Sequence, residues 1–348
     1  MEILRKLRGR NNEGSLALVL IFVIVVMSVL NPVFFSLNTA FSIFRSATVP
    51  LILALAVLMV IISGGIDVSF AAVAIFSAYT AVTLCLNLKL DLGMPAIFGL
   101  AIGIGGVLGL INGFVIARFR LPTLIVTLGT QGIFFGVMLT YVGTRYYPDL
   151  PASMAALATV NVLDVTTGNG RAYLHVLVLL AISLAAIVWA MLKFTMFGRS
   201  LYAIGGDFEG ARRAGFRVMR TQMMIYVIVG MVAAAGGVAH IVMSRSANPQ
   251  DLVGGELDII AAVVLGGASI FGGRGSVLGT VLGVLLIQVI NNSLLLVGVP
   301  SAWLRAAVGI LLILGVGVQA ITARRKAARI HTVDDSVEPA VPSLEKVS

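Results

Sequence analysis

Charge is what this chain of 348 residues has least of. Asp, Glu, Lys and Arg together make up 11% of it, against about 25% in an ordinary soluble domain. That is too little to clothe a 36.5 kDa globule in water, so a soluble protein is excluded. Cysteine occurs once, as Cys85 inside an apolar stretch, which excludes a disulfide framework and leaves the thiol as a small core hydrophobe. The three histidines, His175, His240 and His331, have no second ligand at metal spacing, so no metal site is expected. There is no G-x-x-x-x-G-K-[ST] loop and hence no ATP binding of that kind. Asp, Glu, His and Lys form no relay through the apolar segments of the sort a proton-coupled carrier needs. No two titratable groups within a segment stand at catalytic spacing, so a membrane-embedded enzyme has no candidate centre.

What is abundant is apolar sequence, 59% of the chain. It is laid out in blocks close to the length, roughly 20 residues, that a membrane-crossing helix needs. Ten blocks are candidate spans: 15–35, 47–62, 68–87, 93–117, 121–142, 173–191, 222–243, 259–271, 276–297 and 302–323. With the N-terminus in the cytoplasm, eighteen of the 24 Lys and Arg residues fall on the cytoplasmic side and six outside. This is the positive-inside bias, and it accounts for the net charge of +9 without a nucleic-acid partner. The basic run Arg5, Lys6, Arg8 and Arg10 leads into an apolar block too long for a cleaved signal. The expected architecture is an all-α polytopic membrane protein of about ten helices with both termini cytoplasmic. Residues 1–14 form the cytoplasmic N-terminus, 15–323 the transmembrane domain and 324–348 a polar tail whose composition predicts disorder. Many of the 38 glycines, such as Gly99, Gly103, Gly105, Gly109 and Gly113, stand at spacings that let helices approach closely.

Two loops are long. The external one, 143–172, contains Pro148, Pro151 and the turn Gly168-Asn169-Gly170. The cytoplasmic one, 192–221, contains a short predicted helix. Asp207 follows a glycine turn and is a good N-cap, Glu209 lies in the first turn, Arg212 and Arg213 near the end, and Gly215 is placed to terminate it. Phe208, Ala211 and Ala214 would give this helix a small apolar face suited to close approach by another protein. An ordinary basic connector is the plain alternative.

Glycine pairs interrupt the apolar pattern twice. Gly64-Gly65-Ile66-Asp67-Val68-Ser69 carries no basic residue although it should face the cytoplasm, which suggests that it dips into the protein. Irregular backbone at membrane depth is tolerated where it is buried or lines a cavity. Asp67 is thus a candidate for lining a path, for capping the next helix, or both. The run 256–276 begins with Glu256 and Asp258, continues without charge over a segment too short to cross comfortably, and ends in Gly272-Gly273-Arg274. Short, glycine-interrupted segments in both halves of a chain point to a translocation site.

These residues resemble a known family. Gly64 to Ser69, Gly109-Leu110-Ile111-Asn112-Gly113, Leu121 to Thr130, Gly198 to Gly215, Glu256 to Ser276 and Val289-Ile290-Asn291-Asn292 are similar to motifs of the membrane permease subunit of bacterial carbohydrate ABC importers of the ribose/xylose/galactose type. The resemblance implies an inner-membrane permease that moves a sugar inward. It implies an ABC ATPase subunit that binds the ATP, a periplasmic or lipid-anchored solute-binding protein, and a second permease copy or paralogue. No cofactor is implied in this chain. Asp207, Phe208, Glu209, Ala211, Arg212, Arg213 and Gly215 would be the ATPase-coupling residues, with Asp207 standing where the family commonly has Asn. Gly64, Gly65, Asp67, Ser69, Asn112, Gly272 and Gly273 would line or shape the path. Glu256 and Asp258 would dock the binding protein or cap their helix. Other readings are a same-family permease for an autoinducer-like furanone or a nucleoside, and a self-sufficient secondary carrier.

Overall fold

The computed structural model describes residues 13–89, 92–167 and 170–296, with isolated positions beyond them. Lipid offers no hydrogen bonds, so a chain this apolar closes its backbone polar groups in helices. They are α1 (Glu13–Leu30), α2 (Leu37–Ile62), α3 (Phe70–Asn87), α4 (Met94–Phe119) and α5 (Thr123–Val137, continued by the π turn Met138–Val142). After the external region come α7 (Leu177–Phe194), α10 (Val218–Ser244) and α12 (Val277–Leu296). These eight are long and apolar enough to cross a membrane. The external region holds α6 (Ala152–Leu157) and an antiparallel hairpin of β1 (Asn161–Thr167) and β2 (Gly170–His175). The cytoplasmic region holds α8 (Met196–Gly206) and α9 (Phe208–Arg213), and α11 (Glu256–Leu265) lies between α10 and α12.

Long-range bonds sort the helix ends onto two faces. Ser153 donates to the Leu92 carbonyl at 2.7 Å, Arg245 to that of Ala158 at 3.2 Å, and Tyr147 bridges Ala247. That is the face on which the basic-residue count expects the outside. On the other, the Gly273 N–H donates to the Ile62 carbonyl at 2.9 Å.

The core is centred on α2, whose residues from Ile52 to Ile62 are all buried. A helix that is apolar all round belongs inside its bundle. Against α4, helix α10 packs closely enough that a β-carbon on Gly109 would run into the Tyr226 carbonyl. Gly105, Gly109 and Gly113 of α4 thus act as expected, whereas Gly99 and Gly103 face open space and permit no close helix approach.

The second span differs from expectation. It is not a short block over 47–62 but a 26-residue helix that starts at Leu37, with Ser36 Oγ capping the Thr39 N–H. Arg45 does not end it, and its guanidinium lies 4.7 Å from the Tyr173 ring. The eighth block, 259–271, is not a helical span. It is the ten-residue α11 followed by turns, about 15 Å of helix, half of the roughly 30 Å hydrocarbon core. The tenth block falls almost wholly, and the tail entirely, outside the described residues, as do residues 1–12.

Candidate translocation and coupling site

Beyond α2 the chain runs unwound from Gly64, at φ +84, to Ser69. The Gly64 and Gly65 N–H groups still donate back to Ile61 and Val60 of α2, and α5 supplies acceptors further on. The Ile66 N–H donates to Thr123 Oγ1 at 3.0 Å and the Val68 N–H to Thr127 Oγ1 at 3.3 Å. The Asp67 carboxylate accepts from both the N–H and the hydroxyl of Ser69, each at 2.7 Å, and Asn112 of α4 donates to that hydroxyl at 2.8 Å. All three side chains are buried. Asn112 lies seven residues before the end of α4, about 10 Å up from its cytoplasmic end at 1.5 Å per residue. The dip expected for this segment is therefore real. Asp67 holds the start of α3 from inside the bundle, which joins the capping role to a place at membrane depth.

A second unwound stretch, 245–255, leads from the external face down to α11. Glu256 opens that helix and is only 7% exposed. One carboxylate oxygen accepts from Gln131 at 2.6 Å and the other from the Gly254 N–H at 2.9 Å. Both oxygens are thus bonded within the chain. Asp258, half-buried, lines a cavity between helices.

Helix α5 braces both breaks. Thr123, Thr127 and Gln131 stand at i, i+4 and i+8, one face of a helix. Thr123 and Thr127 lie in the motif Leu121 to Thr130, which does not single them out as site residues, and Gln131 lies just beyond it. Their one signal in the sequence is a polar row at four-residue spacing on an otherwise apolar span.

The first break meets the turns that follow α11 at the cytoplasmic end. A β-carbon on Gly205 would overlap the Ile62 carbonyl oxygen, one on Gly272 would lie 2.7 Å from the Gly64 Cα, and one on Gly273 would lie 3.0 Å from the Gly206 Cα. Three segments distant in sequence therefore touch backbone to backbone. Gly64, Gly272 and Gly273, all expected at the path, are brought together here. Gly205 and Gly206 join them, which their own segment does not announce, and Gly65 lies beside them against Val60 and Thr123.

Gly206 immediately precedes the short cytoplasmic helix α9. Asp207 caps it, accepting from the Gly210 N–H at 3.0 Å, and Gly215 closes it at φ +87. Glu209 and Arg212 pair at 2.8 Å on the exposed side, and Arg213 is exposed beside them. Ala211 faces inward, 4% exposed, among Ile204 and Val218. It anchors α9 to the bundle and is not available as a knob for a partner. Phe208 shares a cavity of about 290 Å³ with Gly64, Gly65, Thr123 and Tyr226.

A bundle with unwound segments at membrane depth, one of them tied to a cytoplasmic helix, has the form of a transport subunit. The family model for the permease component of the branched-chain amino acid transport system matches residues 39–316. The chain belongs to that family. It is an ABC permease component, a multi-pass protein of the inner membrane. Its relatives include the autoinducer 2 import system permease protein LsrC of Yersinia enterocolitica (serotype O:8 / biotype 1B), 32% identical over 87% of this chain and 81% of the relative. The LsrC proteins of Yersinia pseudotuberculosis (serotype O:1b) and Yersinia pestis (strain Pestoides F) are 32% and 31% identical, each over 87% of this chain and 83% of the relative. No solved structure gives a significant match.

Proposed function

We propose that this permease carries a neutral sugar-like solute inward, energised by a separate ATPase subunit that binds the ATP. A solute-binding protein delivers the solute outside, and a second permease copy or paralogue completes the path. The chain itself is neither an ATPase nor dependent on a cofactor. The observation that carries this reading is the glycine junction, because it joins the exposed cytoplasmic helix to the first unwound segment and to the turns that follow α11 without side chains between them. Close-packed backbones shift together and do not deform gradually. A tilt of α9 imposed through Glu209, Arg212 and Arg213 would therefore move Gly205 and Gly206. Gly64 and Gly272 would move with them, and so would the first break, which bears Asp67, and the turns that follow α11. Asp67, Ser69 and Asn112 shape the path in this scheme.

Autoinducer 2 is the second reading for the solute, favoured by the identity to LsrC proteins across most of the chain. The test is uptake into vesicles holding the complete transporter. Arg212→Glu combined with Arg213→Glu should abolish uptake and transport-linked ATP hydrolysis together while the permeases still assemble. Uptake that persists in vesicles lacking any ATPase subunit would sink the importer reading.

A further inference from the structure

A cavity of about 340 Å³ lies among α2, α3, α10, α11 and α12, at the small end of the range for ligand sites. His240 is four residues before the external end of α10 and Asn291 five before that of α12, so the cavity occupies the outer part of the bundle. Its polar lining is Arg45 and Ser46 from α2, His240 from α10, Asp258 from α11, and Gln288 and Asn291 from α12. Polar groups gathered within membrane-spanning helices are costly and mark function by default.

These groups are held in place. Arg45 lies against the Tyr173 ring, the Ser46 hydroxyl accepts from Asn292 at 3.2 Å, and His240 Nε2 is 3.1 Å from an Asp251 carboxylate oxygen. The Asn291 amide oxygen is buried and has no protein partner among the described residues. The lining contains one acidic and one permanently basic side chain, which favours a ligand without net charge. Amide, guanidinium and carboxylate groups offer donors and acceptors together, which matches hydroxyls that both give and accept hydrogen bonds. Phe70 adds an apolar ring to the wall, a surface for the C–H face of a sugar ring.

We propose that this cavity binds one molecule of a neutral polyhydroxylated solute of pentose or hexose size within each permease chain. Asp258, Gln288 and Asn291 would be its hydrogen-bonding residues. The proposal rests on the importer reading and adds to it a site inside the single chain, beside the second break.

The test uses the permease–ATPase complex in vesicles without the solute-binding protein. Gln288→Cys is introduced with Cys85→Ser, and labelling by a water-soluble thiol reagent is timed with D-ribose, D-xylose, D-galactose or autoinducer 2 present. A sugar that fills the site at ten times its dissociation constant should slow labelling about ten-fold. In the complete transporter, Asp258→Asn and Asn291→Ala should then cut uptake of that sugar by about ten-fold or more while hydrolysis stimulated by the binding protein continues. A labelling rate unmoved by any sugar that the wild-type complex transports overturns the cavity but leaves the importer reading standing. ATP-dependent uptake of autoinducer 2 alone, with protection by it alone, overturns the sugar assignment. A wild-type complex with no ATP-dependent uptake of any of the four probes overturns the importer reading, and the cavity proposal with it.

Discussion

The two unwound segments solve one problem in different ways. Each starts a helix inside the bundle with a buried carboxylate, and each needs donors and acceptors that lipid cannot supply. In the first, Asp67 is satisfied by the next turn of its own chain and Asn112 holds that turn. Its only positive-φ residue is a glycine. The second is longer, relies on Gln131 of another helix, and holds Arg245 and Leu252 in left-handed conformations at φ +54 and +66, which cost about 1–2 kcal/mol each for residues with a side chain. A cavity flanks it. The first break is braced by α4 and α5 and borders the smaller cavity beside Phe208, while the second carries two left-handed residues and borders the larger cavity. The difference suggests a division of labour in which the first break transmits and the second meets the solute.

The largest expected effect is at the glycine junction between the first break and the turns after α11. Gly205→Val and Gly272→Val each force a side chain against backbone that has nowhere to go. Each should cost about 3 kcal/mol, the upper end for overpacking, with a lower unfolding temperature in detergent and uptake at background. A silent Gly272→Val beside an inactive Gly205→Val would separate those turns from the first break and end the shared-junction picture.

Next comes the contrast between the carboxylates. Asp67→Ala strips the acceptor from a buried N–H and a buried hydroxyl and should destabilise by about 1–3 kcal/mol. Glu256→Ala should cost less, because the loop before α11 can shift to reach water. Thermal unfolding of the two variants side by side would reverse the comparison if Glu256→Ala proved the worse.

The α5 row sharpens it further. Thr127→Val removes the acceptor for the Val68 N–H and should cost about 1 kcal/mol, acting on the first break. Gln131→Leu should leave the first break intact and weaken only the second. Hydrogen exchange at residues 64–69 and 252–258 distinguishes the two effects.

The smallest effect should come from the external hairpin, which touches neither break. Asp164 accepts from Arg171 Nε at 2.8 Å, and the guanidinium holds its carboxyl below the ordinary value of 3.8. A lowered folded-state value makes the contribution of this pair complete at neutral pH and lost as the pH falls below 3.8. Asp164→Asn should leave uptake at pH 7 unchanged and remove that acid sensitivity, read as protease cleavage between β1 and β2.

Part of this site is legible in the amino-acid order alone. Asp207 and Gly215 bracket α9 at the positions their residue types predict, because capping is decided within four or five residues. The dip at Gly64–Ser69 shows itself as a cytoplasmic loop without a basic residue. Other features mislead for physical reasons. In sequence Ala211 has the look of a knob for a partner, yet whether an alanine faces in or out depends on what α8 and α10 place beside it. Arg45 reads as the boundary of a span, while the helix carries it with its guanidinium beside a tyrosine more than a hundred residues away. Glu256 reads as an outer-surface residue because nothing in its own segment reveals Gln131.

By itself, the sequence determined the solvent and the local punctuation of this protein, and it set the expected sidedness. Apolar content, basic asymmetry and caps act over a few residues or sum over the whole chain, so they need no knowledge of neighbours. Only the tertiary structure decided which glycines meet, which helix braces both breaks, and where polar side chains from separate helices enclose a cavity. A glycine pair announces that a backbone can come close, and packing alone chooses which one does.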